Sequence, residues 1–344
     1  MMPLLVIFTS AALLALLMTR RFRELALSHE IMDVPNERSS HVVATPRGGG
    51  VAIAAVVTLG SVILVLSNRV EPVPYGLMVA AGLAVAGIGF LDDSRGLSRW
   101  PRIAVQACAA AAMLAGVATA GTLTVPVFGD GRLLAWPVAL LALLWLVNLF
   151  NFMDGIDGLA GTEAVFVSLG MVTCLQVVGP GPSGASLLGA LVAGATSGFL
   201  VLNWPPARIF MGDAGSAFLG LVLGALSIIA HFETGISLWV PTILLGAFVT
   251  DATVTLLRRM ILGERWYEPH RTHAYQRLSR RVGAHLPVTM GFLLANVIWL
   301  LPLAIVAACQ PDMAWVCATV AYAPLILVAL WAGAGRPELR QGTS

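Results

Sequence analysis

The chain has 344 residues, of which 58% are apolar and only 11% are charged, whereas about a quarter of the residues of a soluble domain are charged. This composition excludes a water-soluble globular protein. The positive charge comes from 20 arginines without a single lysine, and the net charge of +2 excludes a polybasic nucleic-acid-binding protein.

Eleven apolar runs are long enough to cross a bilayer, which takes about 20 residues with about 17 to 25 tolerated. In chain order they are residues 3–19, 48–67, 75–91, 102–120, 133–150, 162–178, 185–202, 216–232, 237–257, 287–308 and 314–333. We therefore predict an all-α, polytopic membrane helix bundle of about 11 transmembrane helices, forming one domain over residues 1–344. Arginines follow the first run instead of preceding it, so we expect a retained helix and not a signal peptide.

The arginines also indicate the orientation, because positively charged loops resist translocation. If the N-terminus is outside, 18 of the 20 arginines fall on the cytoplasmic side, and only Arg69 and Arg132 lie outside. The cytoplasmic segments are then 20–47, 92–102, 151–161, 203–215, 258–286 and 334–344. We predict an external N-terminus, a cytoplasmic C-terminus and five cytoplasmic loops, 20–47 to 258–286, that carry the polar motifs.

Asp92 and Asp93 are adjacent where the third span reaches the cytoplasm. Neighbouring carboxylates at an apolar boundary repel each other unless a cation or a proton offsets them, and acids at a helix C-terminus oppose the helix dipole. A solvated helix cap is the structural alternative. The pair is a candidate catalytic site.

Polar residues at intervals of three lie at the end of the fifth span and directly after it: Asn148, Asn151, Asp154 and Asp157. If the helix continues, they form one ridge pointing into the bundle, which is costly at the end of an apolar helix unless it has a function. The glycines after Asp154 and Asp157 allow the backbone to approach a ligand closely. A structural Asx turn is the alternative interpretation.

The loop from Asn203 ends at Asp213 and Ser216, where the eighth span begins. Asp213 and Ser216 have the spacing of a helix N-cap pair, and capping alone could explain Asp213. A metal ligand is compatible with that role, because carboxylate and amide oxygens are the donors that Mg²⁺ prefers.

The largest loop, 258–286, contains seven arginines together with His270, His273 and His285. Guanidinium and imidazole donors suit phosphate oxygens and the edge of a base. A histidine pair three apart could be half of a zinc site, but no further Cys or His motif completes it. A plain positively charged cytoplasmic loop explains the arginines and leaves the histidines unexplained.

Before the second span, the segment from Pro35 to His41 is followed by Arg47 and three glycines. Glycines ahead of a helix N-terminus can form an anion-binding nest, and they can equally permit tight packing of spans. The four cysteines have no CxxC spacing, which excludes zinc ribbons and disulfide scaffolds. A Cys309–Cys317 bridge across one short loop is left open.

Taken together and in this order, the motifs resemble the polyprenyl-phosphate N-acetylhexosamine-1-phosphate transferase family of integral membrane enzymes. The resemblance covers nearly the whole chain and lies in Asp92-Asp93…Leu97, in NFMDGIDGLA from Asn151, in FMGDAGS from Phe210 and in HRTHAYQRL from His270. PNERSSH and TPRGGG look most similar to the initiating transferases of O-antigen synthesis.

The resemblance implies that undecaprenyl phosphate attacks the β-phosphate of a UDP-sugar, giving undecaprenyl-diphospho-sugar and UMP at the cytoplasmic face of the bacterial inner membrane. The sugar would be an N-acetylated hexosamine of the GlcNAc, FucNAc or QuiNAc type. A homodimer is compatible with this family. A double displacement through an aspartyl-phosphate is the rival mechanism.

By the same resemblance, Asn151 and Asp213 are expected to contact Mg²⁺, with Mn²⁺ as the alternative metal. Asp154 or Asp157 would help to orient the metal or the substrate, and Asp92 and Asp93 would position or deprotonate the lipid phosphate. The candidate substrate-binding residues are His41, Arg47, Asn203, His270, Arg271 and His273.

Two other functions are compatible with parts of the sequence. The transferase that makes the first lipid intermediate of peptidoglycan normally has adjacent histidines in its last large loop and a lysine in an early loop, whereas here His270 and His273 are separated and lysine is absent. A secondary transporter would place charges near the bilayer midplane and often shows repeated halves; this chain shows no repeat.

Overall fold

The computed structural model describes residues 2–33, 43–119, 121, 132–179, 181–265, 267–268 and 270–337. Within these ranges the chain forms fourteen α-helices and one small antiparallel sheet. The helices are α1 (Met2–Ser28), α2 (Gly50–Leu66), α3 (Pro72–Arg95), α4 (Arg99–Ala118), α5 (Arg132–Met153), α6 (Leu159–Val178), α7 (Gly184–Asn203), α8 (Asp213–Thr234), α9 (Trp239–Leu244), α10 (Gly246–Ile261), α11 (Ala274–Val282), α12 (Leu286–Ala295), α13 (Leu301–Cys309) and α14 (Ala314–Ala332). A π turn, Asn296–Leu300, joins α12 to α13, and a 3-10 turn, Pro311–Met313, precedes α14. The sheet pairs β1 (Met32–Asp33) with β2 (Thr45–Pro46), so that Met32 lies opposite Pro46.

The prediction of an all-α polytopic bundle is confirmed. Among the described residues, nine helical segments are long and apolar enough to cross a membrane, and α2 is a further apolar helix of 17 residues. The predicted ninth span, 237–257, is divided at Leu245 into α9 and α10. Each predicted span therefore coincides with a helix or with consecutive helices, while the orientation in the membrane stays a prediction.

The burial of the spans separates central from peripheral helices. In α8 and α7, 89% and 83% of the most apolar window is buried, against 22% in α1. Small residues allow the close packing: a Cβ added to Gly198 of α7 would lie 2.1 Å from the carbonyl oxygen of Ala12 in α1. Helix α8, which begins at the candidate metal ligand Asp213, is therefore held on all sides by protein.

Several predicted boundaries were wrong by a turn or more. Helix α1 continues to Ser28 and α3 to Arg95, so Asp92 and Asp93 belong to the last turn of a helix and not to a loop. Loop 258–286 contains the nine-residue helix α11. Hydropathy did not predict this helix, because it is polar and contains three arginines. All four cysteines are free, so the Cys309–Cys317 bridge does not form.

Candidate active site

Three chain segments converge at one end of the bundle: the last turn of α3, the first turn of α8 and the glycine segment before α2. Glycine makes this approach feasible, because a Cβ on Gly50 would lie 2.3 Å from the Cα of Gly215, and one on Gly89 would lie 2.6 Å from the carbonyl oxygen of Asp213. Gly212, with φ of +77°, turns the chain into α8. The glycines of TPRGGG therefore pack helix ends together, as one of the two sequence interpretations proposed.

Asp93 caps the N-terminus of α8 from the neighbouring helix. Its Oδ1 accepts the backbone N–H of Asp213 at 3.1 Å, and its Oδ2 accepts that of Ala214 at 3.3 Å. These are two of the N–H groups that a helix leaves without an internal partner. The capping role that the sequence offered to Asp213 thus belongs to Asp93, and the side chain of Asp213 makes other contacts.

Asp213 lies between two arginines, each of which also binds a second carboxylate. Arg47 Nη2 is 2.8 Å from Asp213 Oδ1 and 2.7 Å from Asp93 Oδ1. Arg102 Nη2 is 3.3 Å from Asp213 Oδ2, while its Nη1 contacts Asp92. Three carboxylates and two guanidinium groups alternate in a cluster, which we call the Asp213 cluster.

Arg102 was missed by sequence reasoning. It was one of three arginines after the acid pair, with Arg95 and Arg99, and their spacing could not select which of them folds back on Asp92. Arg47 was predicted to bind the substrate, and in the structure it also contacts Asp93 and Asp213. About a third of its side chain remains exposed, so an anion can reach it from outside.

The ridge of four polar residues predicted after the fifth span is not formed, because α5 ends at Met153. Asn148 points toward α4, where its amide nitrogen donates to the buried Gln106 at 3.1 Å. Asn151 is the residue that reaches the cluster: its Nδ2 lies 3.3 Å from the hydroxyl of Ser216, one turn after Asp213. The two predicted metal contacts, Asn151 and Asp213, are therefore linked through Ser216 in the first turn of α8.

Asp154 follows the end of α5 and faces the Asp213 cluster. Desolvation raises the pKa of its carboxyl group well above the ordinary value, and the negative charges of Asp213 and Asp93 raise it further against the opposing effect of Arg47. Among the described residues, no arginine or histidine forms an ion pair with Asp154. A cation bound here would offset that repulsion.

Asp157 and Asn203 hold loops together. Asp157 Oδ2 accepts the N–H of Ala207 at 3.0 Å, and its Oδ1 is 3.2 Å from Nδ1 of His285. Asn203 is 3% exposed, and its amide accepts from Gly158 N–H and donates to the carbonyl of Ile209. We assign Asn203 a positioning role, since its amide is already used by backbone groups below the surface.

The histidine segment is fixed by a buried acid, Asp251 of α10. Asp251, 2% exposed in α10, accepts the N–H groups of Ala274 and Tyr275 at 2.8 and 2.9 Å and so caps α11. The hydroxyl of Tyr275 then donates to the carbonyl of Phe152 at 2.9 Å. This chain of contacts ties loop 258–286 to the end of α5, two residues before Asp154.

The two histidines of this segment, His270 and His273, lie next to each other. Burial, together with His273 and Arg259, lowers the pKa of His270 to about 3, so His270 is neutral at physiological pH. The rings of His270 and His273 are 5.0 Å apart, and His273 is buried against Asp251, 3.4 Å from its carboxylate. Arg271 is the partly exposed cation of the segment. His41 lies outside the described residues.

The donor set fits Mg²⁺ better than a softer metal. Within the part of the chain that the structure describes, no three His, Cys, Asp or Glu side chains form a complete ligand set. Mg²⁺ usually takes one or two protein ligands and completes its shell with water and substrate phosphates. One carboxylate from Asp213 and one amide oxygen from Asn151, in a cluster with an excess of acid, match that requirement.

Comparison of the sequence with known proteins identifies its relatives. The family model described as glycosyl transferase family 4 matches residues 75–231, a range that contains Asp92, Asp93, Asn151 and Asp213. The loops carrying Arg47 and His270 lie outside that range.

Curated relatives match over most of their length. The chain is 29% identical over 301 residues to the probable undecaprenyl-phosphate N-acetylglucosaminyl 1-phosphate transferase of Bacillus subtilis, covering 85% of this chain and 83% of that protein. It is 30% identical over 311 residues to the decaprenyl-phosphate N-acetylglucosaminephosphotransferase of Mycobacterium tuberculosis, covering 82% and 77%. A phospho-N-acetylmuramoyl-pentapeptide-transferase of Synechococcus is 30% identical over 275 residues, covering 75% and 76%.

Proposed function

This chain belongs to the polyprenyl-phosphate N-acetylhexosamine-1-phosphate transferase family, and on that premise we propose the reaction that it catalyses. It transfers an N-acetylated hexosamine-1-phosphate of the GlcNAc, FucNAc or QuiNAc type from a UDP-sugar to undecaprenyl phosphate. The products are undecaprenyl-diphospho-sugar and UMP. The lipid product starts an O-antigen or another cell-envelope polysaccharide.

The Asp213 cluster is the observation that carries this proposal. A lipid phosphate oxygen forms a bond to the β-phosphorus of the UDP-sugar, and the bond from that phosphorus to the bridging oxygen breaks, so that the electron pair leaves with UMP. The reacting phosphates carry several negative charges that fixed cationic donors can stabilise. Arg47 and Arg102 can provide those donors, because guanidinium groups bind phosphate oxygens in a bidentate manner.

The contacts of Asp92 and Asp93 favour a role in orienting the lipid phosphate over a role as the base that removes its proton. Asp92 is held by Arg102 and by the N–H of Leu97, and Asp93 by Arg47 and the start of α8. The second pKa of a phosphate monoester is about 6, so most of the lipid acceptor is already a dianion at pH 7. The acceptor therefore needs orientation toward the β-phosphorus, and a strong base is unnecessary.

Asn151 and Asp213 would hold Mg²⁺ in this enzyme, and the metal would neutralise charge on the diphosphate. Asp154 is placed to orient the metal or its water, since it faces Asp213 without an ion-pair partner of its own among the described residues. Asp157, which is tied to Ala207 and His285, fixes the loop that carries Asp154.

The identity of the transferred sugar is the most detailed part of the proposal. The separated histidines, His270 and His273, and the glycine segment after Arg47 favour a simple N-acetylhexosamine donor. The muramoyl-pentapeptide donor is the second candidate, because a relative of that name matches with similar identity. An acetamido group supplies a donor and an acceptor that polar groups in a site can read strongly.

A donor panel tests the proposal. Purified enzyme with Mg²⁺ and undecaprenyl phosphate is offered UDP-GlcNAc, UDP-GalNAc, UDP-N-acetylfucosamine, UDP-N-acetylquinovosamine and UDP-MurNAc-pentapeptide, and the lipid product is measured. We expect product from at least one donor without the pentapeptide. Product from the pentapeptide donor alone would assign the chain to the peptidoglycan branch, and no product from any donor would contradict the reaction.

We also propose that the Asp213 cluster faces the cytoplasm of the bacterial inner membrane, since the segments that build it are among the six that together carry 18 of the 20 arginines. Reporter fusions after residues 97, 210 and 275 should then be active on the cytoplasmic side. A fusion near residue 312 should be external. One motif loop outside would contradict the single-face arrangement.

A further inference from the structure

A carboxyl group outside the Asp213 cluster is buried between α6 and the last spans. Glu163, five residues into α6, is 1% exposed, and its Oε2 accepts a hydrogen bond of 2.5 Å from Nδ2 of Asn296. Asn296 is also 1% exposed and begins the π turn between α12 and α13. An ionisable side chain at this depth in a membrane bundle is costly and calls for a functional explanation.

The pair leaves two oxygens without partners. Glu163 Oε1 and Asn296 Oδ1 are both buried and accept no hydrogen bond. Among the described residues, Asn296 is the only polar partner of Glu163, and no basic side chain pairs with it. Tyr322 of α14 is near, but its hydroxyl donates to the carbonyl of Thr242 at 2.8 Å.

An ionised Glu163 cannot explain this arrangement. Burying a carboxylate without a cation is strongly unfavourable, and a carboxylate has no proton to donate to the amide oxygen of Asn296. A proton on Oε1 removes the buried charge and provides an O–H group that can donate to Asn296 Oδ1. A carboxylic acid and a primary amide then exchange two hydrogen bonds, and both orphan oxygens are satisfied.

We propose that Glu163 is protonated and forms with Asn296 a neutral, doubly hydrogen-bonded pair that positions the active-site loop between α5 and α6. It is a positioning residue, because it acts through that loop and touches no reacting atom. The effect on turnover rests on the proposed function, whereas the protonation state does not.

The two spans that the Glu163–Asn296 pair joins, those of α6 and α12, also contact the active-site loop. Helix α6 begins at Leu159, directly after the loop that carries Asp154 and Asp157. Near the beginning of α12, Thr289 Oγ1 donates to the carbonyl of Asp157 at 2.9 Å. Asn296 lies seven residues after Thr289, about two helical turns along the same span. Contacts at two levels therefore prevent α12 from sliding along α6 and displacing Asp157 and its loop.

Infrared spectroscopy tests the proton directly. The difference spectrum between wild type and Glu163→Gln, recorded in detergent at pH 7 and 8, should contain the C=O stretch of a protonated carboxylic acid that shifts in D₂O. This measurement needs no substrate, so it stays decisive even if no sugar donor is turned over. A difference spectrum with carboxylate bands and no acid C=O band would overturn the proposal.

Turnover of matched variants tests the positioning role. Glu163→Gln keeps two hydrogen bonds to Asn296 and should retain kcat within about twofold from pH 6 to 8. Glu163→Leu and Asn296→Leu, which remove both bonds, should lower kcat by about 10- to 100-fold, because small displacements of reacting groups are costly. A Glu163→Gln enzyme that folds and loses kcat tenfold would show that the carboxyl group itself is required, and would overturn the neutral pair.

Discussion

Replacing Asp213 with asparagine is expected to lower kcat by about 10³-fold while the protein stays folded. The substitution removes the negative charge that pairs with Arg47 and Arg102 and that is proposed to contact Mg²⁺. The fold should persist because each arginine keeps a second carboxylate, Asp93 for Arg47 and Asp92 for Arg102. Product formation and thermal unfolding in detergent, measured on the same preparation, separate the two effects.

Asp312→Asn is the matched control, because the same chemical change then falls in the exposed 3-10 turn before α14. We expect that variant to have the wild-type rate. The proposed role of Asp213 would be wrong if Asp213→Asn kept both the wild-type kcat and the wild-type dependence on Mg²⁺ concentration.

Asp93→Ala is expected to abolish activity and to lower stability. The alanine leaves the N–H groups of Asp213 and Ala214 without acceptors at the start of α8, and it leaves Arg47 with one carboxylate. Leaving these two N–H groups without a cap costs about 1 to 2 kcal/mol, whereas Arg47 keeps Asp213 as a partner. A lower unfolding temperature should therefore accompany the loss of product formation.

Asp92→Ala is the control for the effect on stability. It deletes the adjacent carboxylate, which contacts Arg102 and Leu97 but no backbone group of α8. We expect Asp92→Ala to unfold at a clearly higher temperature than Asp93→Ala. Equal unfolding temperatures would show that the cap on α8 contributes nothing measurable.

The membrane architecture followed from the sequence because it depends on local composition. A span needs only enough consecutive apolar residues to match the bilayer core, and runs such as 162–178 and 216–232 contain that information without reference to any partner. Their ends were predicted less well. Helix α3 runs on to Arg95, where Gly96 in the left-handed conformation ends it, and α5 stops at Met153, next to the Phe152 carbonyl that Tyr275 of α11 contacts.

The helix in loop 258–286 depends on a partner far along the chain. Helix α11 is polar and short, so its own sequence favours it only weakly. It forms where Asp251, 23 residues before Ala274, caps its N-terminus from α10. The position of His270 and His273 therefore could not be read from the spacing of those two residues.

The sequence by itself determined which residue types gather at one end of the bundle, because Asp92, Asp93, Asn151, Asp154 and Asp213 each lie beside the end of an apolar run. Only the tertiary structure decided the role of each acid. Asp93 caps α8, Asp213 lies between Arg47 and Arg102, and Asp157 fixes loops. The reason is that a carboxylate satisfies whichever donors reach it, and the donors here come from helices separated by tens to more than a hundred residues in the chain.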